Sequence, residues 1–560
     1  MGPGGQKTLM TKGTKDNKQS KMTSYLPYAL LAFMVLVHAG FLLFRLNVTP
    51  DIFLDEANGM YDSWCLANYG TDSNMIHNPV YLQGFTGQGQ SVLYALLAGP
   101  FMRILGYSLF AYRLSLAICS TLHVCLLGLT LLHTDKPEKA LWMTLAVGTA
   151  PYLLCAARFG MDCNISPFLC SSGSVLLYLG CSLHGKAGRW AALLCGISLL
   201  GLTAYSYNVS WLFLPVYLSV LAVCLYRRGM VRRSEMAVMS LLLLLIICPV
   251  VIFAIRSNYP AWNRTAEILW WTSPALPAGR AGESVISLAD TPVRNVVMNL
   301  YAGWKIFANG TDGLSWNSVG TFGPCYRFAL PFFLIGLWAV IRRREKSDVF
   351  ILAQLIAMIP ICLLVKPNYN HWMFLHIPIL LTTGTGIFET AAHLREAGWR
   401  RVFTISLLLT YACSFGWYVF QYHRGERYTG WESSGMELFD SLHTEDYETV
   451  YFITDQRMFL YNVRVCKPVP PGEFQATKDH PWSETEVWMD QTYANFVRIH
   501  DDMALDDGGA LYLIQDSHLN EVEDRLKGKT ELDDVQYNGI TYKVFEDVPS
   551  APEKDPGLEN

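Results

Sequence analysis

Two adjacent carboxylates, Asp55 and Glu56, stand in a stretch that holds no Lys or Arg from Leu46 through Gln90. The same stretch carries Asp51, Asp62 and Asp72. Such a pair supplies a general base and a supporting hydrogen-bond acceptor, the parts needed to take a proton from a hydroxyl. The bland alternative is a solvated acidic loop. Position favours chemistry, because loops carry catalytic groups more often than the elements that hold them. A second charged segment runs from Arg158 to Asn164 and contains Asp162. Arg158 and Asp162 read either as a mutual salt bridge or as groups facing a cavity, and charge beside a membrane span is a functional hypothesis by default.

The elements that position these residues are membrane helices. The chain has 560 residues, 51% hydrophobic and 16% charged, where soluble domains carry about 25% charged residues. That excludes a disordered chain, a coiled coil and an ordinary soluble enzyme. The net charge of −4 suggests no nucleic-acid partner. About eleven apolar segments reach or approach the roughly 20 residues that cross a bilayer: 25–45, 108–132, 138–157, 165–183, 189–207, 209–226, 236–255, 326–341, 348–365, 371–389 and 401–420. Lys and Arg crowd the N-terminal tail and every second loop thereafter. The positive-inside rule then predicts a cytoplasmic tail over 1–24 and a multi-pass membrane domain over 25–420. Loops 46–107 and 256–325 and a C-terminal domain over 421–560 are expected on the extracytoplasmic face. The tail alternates apolar strands with polar helices at Thr449–Thr454, Ala510–Gln515, Ser517–Leu526 and Gly539–Phe545, which predicts an α/β domain. Val92 to Leu105 is too short and too broken by Gly and Pro to span, and reads as an interfacial helix.

Taken in order, these motifs resemble the GT-C superfamily of integral-membrane glycosyltransferases. The branch is that of the protein O-mannosyltransferases, the aminoarabinose transferases of lipid A and their bacterial, glycosyltransferase family 39-like relatives. The resemblance rests on Leu54-Asp55-Glu56-Ala57, Pro79-Val80-Tyr81, Gly87-Gln88-Gly89-Gln90-Ser91, Tyr112-Arg113-Leu114 and Ala157-Arg158 to Asp162. Tyr205-Ser206-Tyr207, Asn309 to Gly313 and Pro367 to His371 fit the same pattern. It implies a GT-C fold with an extracytoplasmic tail domain. It also implies inverting transfer of a sugar, a hexosyl group, from a polyprenyl-phosphate donor in the bilayer to a glycan, lipid or protein acceptor. Asp55 would be the base, Glu56 would orient the substrates, and Asp162 would be the second acidic position. Tyr81, Gln88 and Gln90 would belong to the substrate loop.

The leaving phosphate needs positive charge, and the first loop supplies only acid. The candidates are Arg158, Arg256, Arg264, Lys305 and Lys366, with Arg294 and Arg327 behind them and His371 as a neutral donor. Each also reads as a side chain snorkelling to the interface. In the aminoarabinose transferases a basic residue follows the acidic pair; this chain has Asn58 and a Gly/Gln run, so backbone amides are the substitute. The 256–325 loop is too short for the extra domain of the O-mannosyltransferases. No cofactor or catalytic metal is expected, although some branches use a divalent ion. Trp262, Trp270, Trp271, Tyr301, Trp304 and Trp316 read as an aromatic belt, or alternatively as a sugar-stacking lid. A lipid-linked glycan transporter or a non-catalytic assembly protein is the rival reading. Transporter sites gather near mid-membrane, whereas these acids gather at its outer boundary.

Overall fold

The computed structural model describes residues 7–84, 89–276, 284–289, 291–314, 316–424, 441–456, 459–477, 492–500, 503–505, 508–537 and 539–547, with side chains from Tyr25 onward except at 54 and 461. In chain order the helices are α1 (Lys7–Leu43), α2 (Leu54–Tyr69), α3 (Val92–Leu105), α4 (Leu109–Thr134), α5 (Pro137–Gly148), α6 (Pro151–Ala156), α7 (Ser166–Ser182) and α8 (Lys186–Thr203). There follow α9 (Ser210–Arg227), α10 (Arg233–Asn258), α11 (Pro292–Asn309), α12 (Leu330–Arg343), α13 (Lys346–Leu364), α14 (Met373–His393), α15 (Ala397–Arg424), α16 (Phe459–Cys466) and α17 (Pro471–Thr477). Among the described residues, seven segments are long and apolar enough to cross a membrane: Tyr25–Leu43, Leu109–Thr134, Asp162–Ser182, Ser210–Arg227, Arg233–Asn258, Lys346–Leu364 and Ala397–Arg424. The chain is a polytopic helical membrane protein. The remaining expected spans are also helical: 189–207 and 371–389 form the continuous helices α8 and α14, of 18 and 21 residues, whereas 138–157 and 326–341 are broken or short. The segment 138–157 divides into α5 and α6 because Pro151 opens α6, and proline lacks the N–H that would continue the preceding turns. The segment 326–341 forms a 14-residue α12.

Two compact units are formed. One comprises 1–47, 113–252 and 280–425; the other comprises 48–112, 253–279 and 426–560.

In the first unit the basic loops are tied together at one end. Lys139, 2% exposed, reaches Asp135 and Glu345 at 2.9 Å each. Arg228 donates to the Arg344 carbonyl at 2.7 Å. Arg189 pairs with Glu235 at 2.7 Å, and Arg343 pairs with Glu389. Burial of Lys139 is tolerated because carboxylates partner it. Helix α11 places Val293, Val297, Tyr301 and Trp304 exposed on one side, at helical spacing, which is the pattern of a helix lying in an interface.

In the second unit the tail forms a seven-stranded sheet, built on β1 (Thr449–Ile453) and β2 (Ala510–Gln515), which run parallel, with β3 (Ile540–Glu546) antiparallel beside β2. These are the strands that apolar alternation predicts. The helical stretch 517–526 is realised as short turns through Leu519–Val522 and Glu523–Leu526. One face of the sheet buries Val450, Phe452, Leu511, Leu513 and Val544, and Tyr61 and Cys65 of α2 fill the same core. Helix α3 is apolar and 14 residues long, about 21 Å at 1.5 Å per residue, which is shorter than the roughly 30 Å hydrocarbon core.

Candidate active site

Asp55 and Glu56 occupy the first turn of α2, where the helix dipole favours negative charge. Asp55 is half-buried and Glu56 is fully buried. Glu56 Oε2 accepts the Phe53 N–H at 3.4 Å, so Glu56 helps to close the N-terminus of α2 as a capping-box carboxylate does.

One turn further on, a chain of hydrogen bonds leads from the tail to Asp55. Arg464 of α16 donates to Asn58 Oδ1 at 3.2 Å. Asn58 Nδ2 donates to Gln90 Oε1 at 2.8 Å and to Asp62 Oδ2 at 3.1 Å. Gln90 Nε2 donates to the Asp55 carbonyl at 2.9 Å. Gln90 lies on a hairpin, pairing with Leu82 across two short strands. The hairpin can approach because α2 has a glycine at the contact. A Cβ on Gly59 would lie 2.3 Å from the Tyr112 hydroxyl and 3.1 Å from Gln90 Nε2, a clearance worth the roughly 1 kcal/mol that a mid-helix glycine costs. Arg464 is 3% exposed and lies 5.1 Å from the Tyr61 ring centroid and 5.0 Å from that of Phe474. The cation missing from the acidic loop is thus delivered by the tail domain.

Beneath this network Asp62 and Asp72 are both buried. Asp62 Oδ1 accepts the Ser73 N–H at 2.9 Å, and Asp72 Oδ1 accepts those of Asn74 and Ile76 at 2.9 Å each. Burial pushes Asp62 upward against the pull of the Ser73 hydrogen bonds and Arg464. Burial, reinforced by the Asp62 charge, pushes Asp72 up to about 7. An unfolded Asp titrates near 3.9. Between those values the folded chain holds a proton that the unfolded chain has lost, so this group's contribution to stability falls as pH rises from about 4 to about 7. Asp72→Asn keeps the Oδ1 acceptor and removes the charge. The variant should melt higher than wild type above pH 7, with the difference shrinking toward pH 4, in a thermal series across that range.

Other residues of this unit have clear places. Tyr81 is buried and stacks on Phe253 with centroids 4.7 Å apart. Gln88 lies outside the described residues. Arg256 is half-buried and donates to the carbonyl of the exposed Arg264 at 3.1 Å. Trp262 and Trp270 are exposed, whereas Trp271 is buried.

In the membrane unit Arg158 is fully buried. Its guanidinium donates to the carbonyls of Phe41, Leu42 and Arg45 and lies over the rings of Phe41 and Tyr422. It caps the end of α1, whose last carbonyls otherwise have no partner within the helix. Arg113, also fully buried, adds a bond to the Leu46 carbonyl at 3.1 Å. Asp162 is half-buried and opens a short 3-10 turn, accepting the Cys163 N–H at 2.8 Å. The Asn309 to Gly313 turn and the Pro367 to His371 loop meet. Asp312 Oδ2 accepts the Tyr369 N–H at 2.9 Å, and Tyr152 donates to Asn370 Oδ1 at 3.1 Å. His371 Nδ1 lies 2.8 Å from the carbonyl of the exposed Lys366. Its ring is 6.5 Å from that of Tyr207. Lys305 is exposed over Tyr301. Among the described residues no group of three or more His, Cys, Asp or Glu side chains is arranged to hold a metal ion.

The comparison with solved structures gives this arrangement its context. ArnT from Cupriavidus metallidurans bound to undecaprenyl phosphate superposes with a TM-score of 0.56 at 13% identity, over 93% of this chain and 98% of that one. The chain has the GT-C fold. The archaeal oligosaccharyltransferase AglB from Archaeoglobus fulgidus, in complex with an inhibitory peptide and a dolichol-phosphate, gives 0.50 at 12% identity over 93% of this chain and 74% of that one. No protein-family model matches the sequence, and neither does any curated protein. The agreement with the sequence resemblance therefore lies in the fold.

Proposed function

We propose that this chain is a polyprenyl-phosphate-sugar-dependent glycosyltransferase that works at the extracytoplasmic face of a membrane. The observation that carries the reading is the acidic start of α2, braced through Gln90 and Asn58 by Arg464, in a chain of GT-C fold. Solved structures of that fold hold undecaprenyl phosphate and a dolichol-phosphate.

Asp55 is assigned the base. It takes the proton of the acceptor hydroxyl as that oxygen attacks the anomeric carbon. The bond from that carbon to the phosphate oxygen breaks, and polyprenyl phosphate leaves with the electron pair. Such a phosphate is stable without protonation at neutral pH, so the step needs a base and positive charge but no acid. Direct displacement inverts the anomeric centre. Glu56 and Asp162 orient the substrates. Arg256, Arg264, Lys305, Lys366 and His371 are the candidates for the phosphate. Arg158, which also donates to three carbonyls at the end of α1, is a further candidate for the phosphate. The acceptor is a glycan, a lipid or a protein. The basic loops that cluster at one end face the cytoplasm, which leaves the N-terminus inside and the tail domain outside.

The reading is tested by donor class and product configuration. A purified preparation should glycosylate an acceptor from polyprenyl-phosphate sugars and not from nucleotide sugars, with an inverted anomeric linkage by NMR. Transfer from a nucleotide sugar, or retention of configuration, would overturn it.

A further inference from the structure

A continuous groove in the membrane unit has an apolar floor and a basic mouth. The floor lies between α1, α5 and α15; it has a volume of about 540 Å³ and is lined by Leu30, Phe33, Leu141, Leu145, Leu408 and Phe415 among others. The mouth has a volume of about 480 Å³ and carries Lys136, Arg400 and Arg401 against one carboxylate, Glu138. Floor and mouth share Glu138, Trp142 and Thr404, so the apolar and basic cavities adjoin. From Arg401 to Phe415 the groove follows α15 for about 21 Å at 1.5 Å per residue. That exceeds one leaflet, about half of the 30 Å hydrocarbon core.

The charge of the mouth is the informative feature. Three other cations of this end are paired with carboxylates: Lys139 with Asp135 and Glu345, Arg189 with Glu235, and Arg343 with Glu389. Lys136, Arg400 and Arg401 make no ion pair among the described residues, and all three are exposed. Lys136 sits 5.6 Å from the Phe388 ring centroid, with its ammonium left for an anion. Three cations against one carboxylate, above an apolar slot open to the bilayer, form a receptacle for a negatively charged headgroup with an attached acyl chain. Basic pockets between membrane helices bind anionic lipids on this principle.

We propose that this groove binds an anionic glycerophospholipid, headgroup phosphate on Lys136, Arg400 and Arg401 and one acyl chain along α15. The site lies at the end of the membrane unit where the basic loops meet, whereas Arg158 caps α1 at the other end of that helix. The basic mouth is therefore distinct from that α1 end, toward which the apolar floor extends as far as Phe415, whose ring lies 6.1 Å from that of Phe41.

The test uses the full chain purified in detergent and delipidated, with phosphatidylglycerol and phosphatidylcholine as probes. Retained lipid is measured by native mass spectrometry, and the melting temperature is followed in parallel. Phosphatidylglycerol should bind at least tenfold more tightly than phosphatidylcholine. Arg400→Gln with Arg401→Gln should remove that preference. Leu408→Trp, which fills the slot and leaves the charges in place, should remove binding of both lipids. Equal retention of the two lipids by wild type would overturn the proposal. So would displacement by millimolar inorganic phosphate, or preferential binding of a polyprenyl phosphate at the same groove. Both groups of variants change exposed or lipid-facing positions, and an unchanged melting temperature without lipid confirms that they fold.

Discussion

Replacing Asp55 by Asn is expected to lower kcat by about 100- to 10,000-fold, with little change in the KM for the lipid donor. The magnitude follows from the role. A base that takes a proton from the attacking hydroxyl acts in the transition state, so its loss appears in kcat and kcat/KM together and leaves ground-state binding of the donor alone. The fold should survive, because the contact that anchors this turn uses the backbone: Gln90 donates to the Asp55 carbonyl, which asparagine retains. Initial rates over a range of donor concentrations, beside melting curves of both proteins, measure the effect. A rise in KM with kcat unchanged would instead make Asp55 a binding group.

Arg464→Met should produce the second large effect, although Arg464 belongs to the tail domain. Two losses are combined. Arg464 is a nearly fully buried cation beside Asp62 and Asn58, and removing one partner from a buried charged network costs about 3–5 kcal/mol. The unit should therefore melt lower. The variant also frees Asn58, then Gln90, then the Asp55 backbone. A displacement of about 1 Å at a reacting group costs about 100-fold in rate, so kcat should fall well beyond what the unfolded fraction explains. Gln90→Leu cuts the same chain further along and should give a similar fall in kcat with a smaller loss of stability. Because the two act in series, the double variant should lose less than the product of the single losses. Arg464→Lys restores charge without the guanidinium fork and should recover stability more than rate. Multiplicative losses in the double variant would show that the two residues act separately.

The membrane helices were legible because crossing a bilayer demands a long apolar run, and few other structures produce one. The strands Thr449–Ile453 and Ala510–Gln515 were legible for a similar reason, since both are short, apolar and bounded by turn residues. The break at Pro151 was signalled by the residue itself, but apolar content on both sides hid it. The long-range partners left no signal. Asn58 stood out only as a departure from the family pattern. Gln90 read as a substrate-loop residue, and its hydrogen bonds place it between Asn58 and Asp55. Arg464 is a single arginine on an eight-residue helix, more than 400 residues along the chain from the side chain it holds. Nothing in its local composition distinguishes it from a surface cation. Tyr61 and Cys65 likewise read as parts of the first outer loop, yet they lie on α2 and complete the core of the tail sheet. Arg158 was conspicuous as a charge beside a span, but its bonds to the carbonyls that end α1 left no trace in the sequence.

The most direct measurement is release of polyprenyl phosphate by the purified chain in lipid nanodiscs supplied with a panel of synthetic polyprenyl-phosphate sugars and an acceptor mixture. Release that depends on acceptor and disappears in the Asp55→Asn protein is the predicted result. No release from any donor, with lipid-linked glycan still bound, would contradict the transferase account and favour a carrier of such lipids.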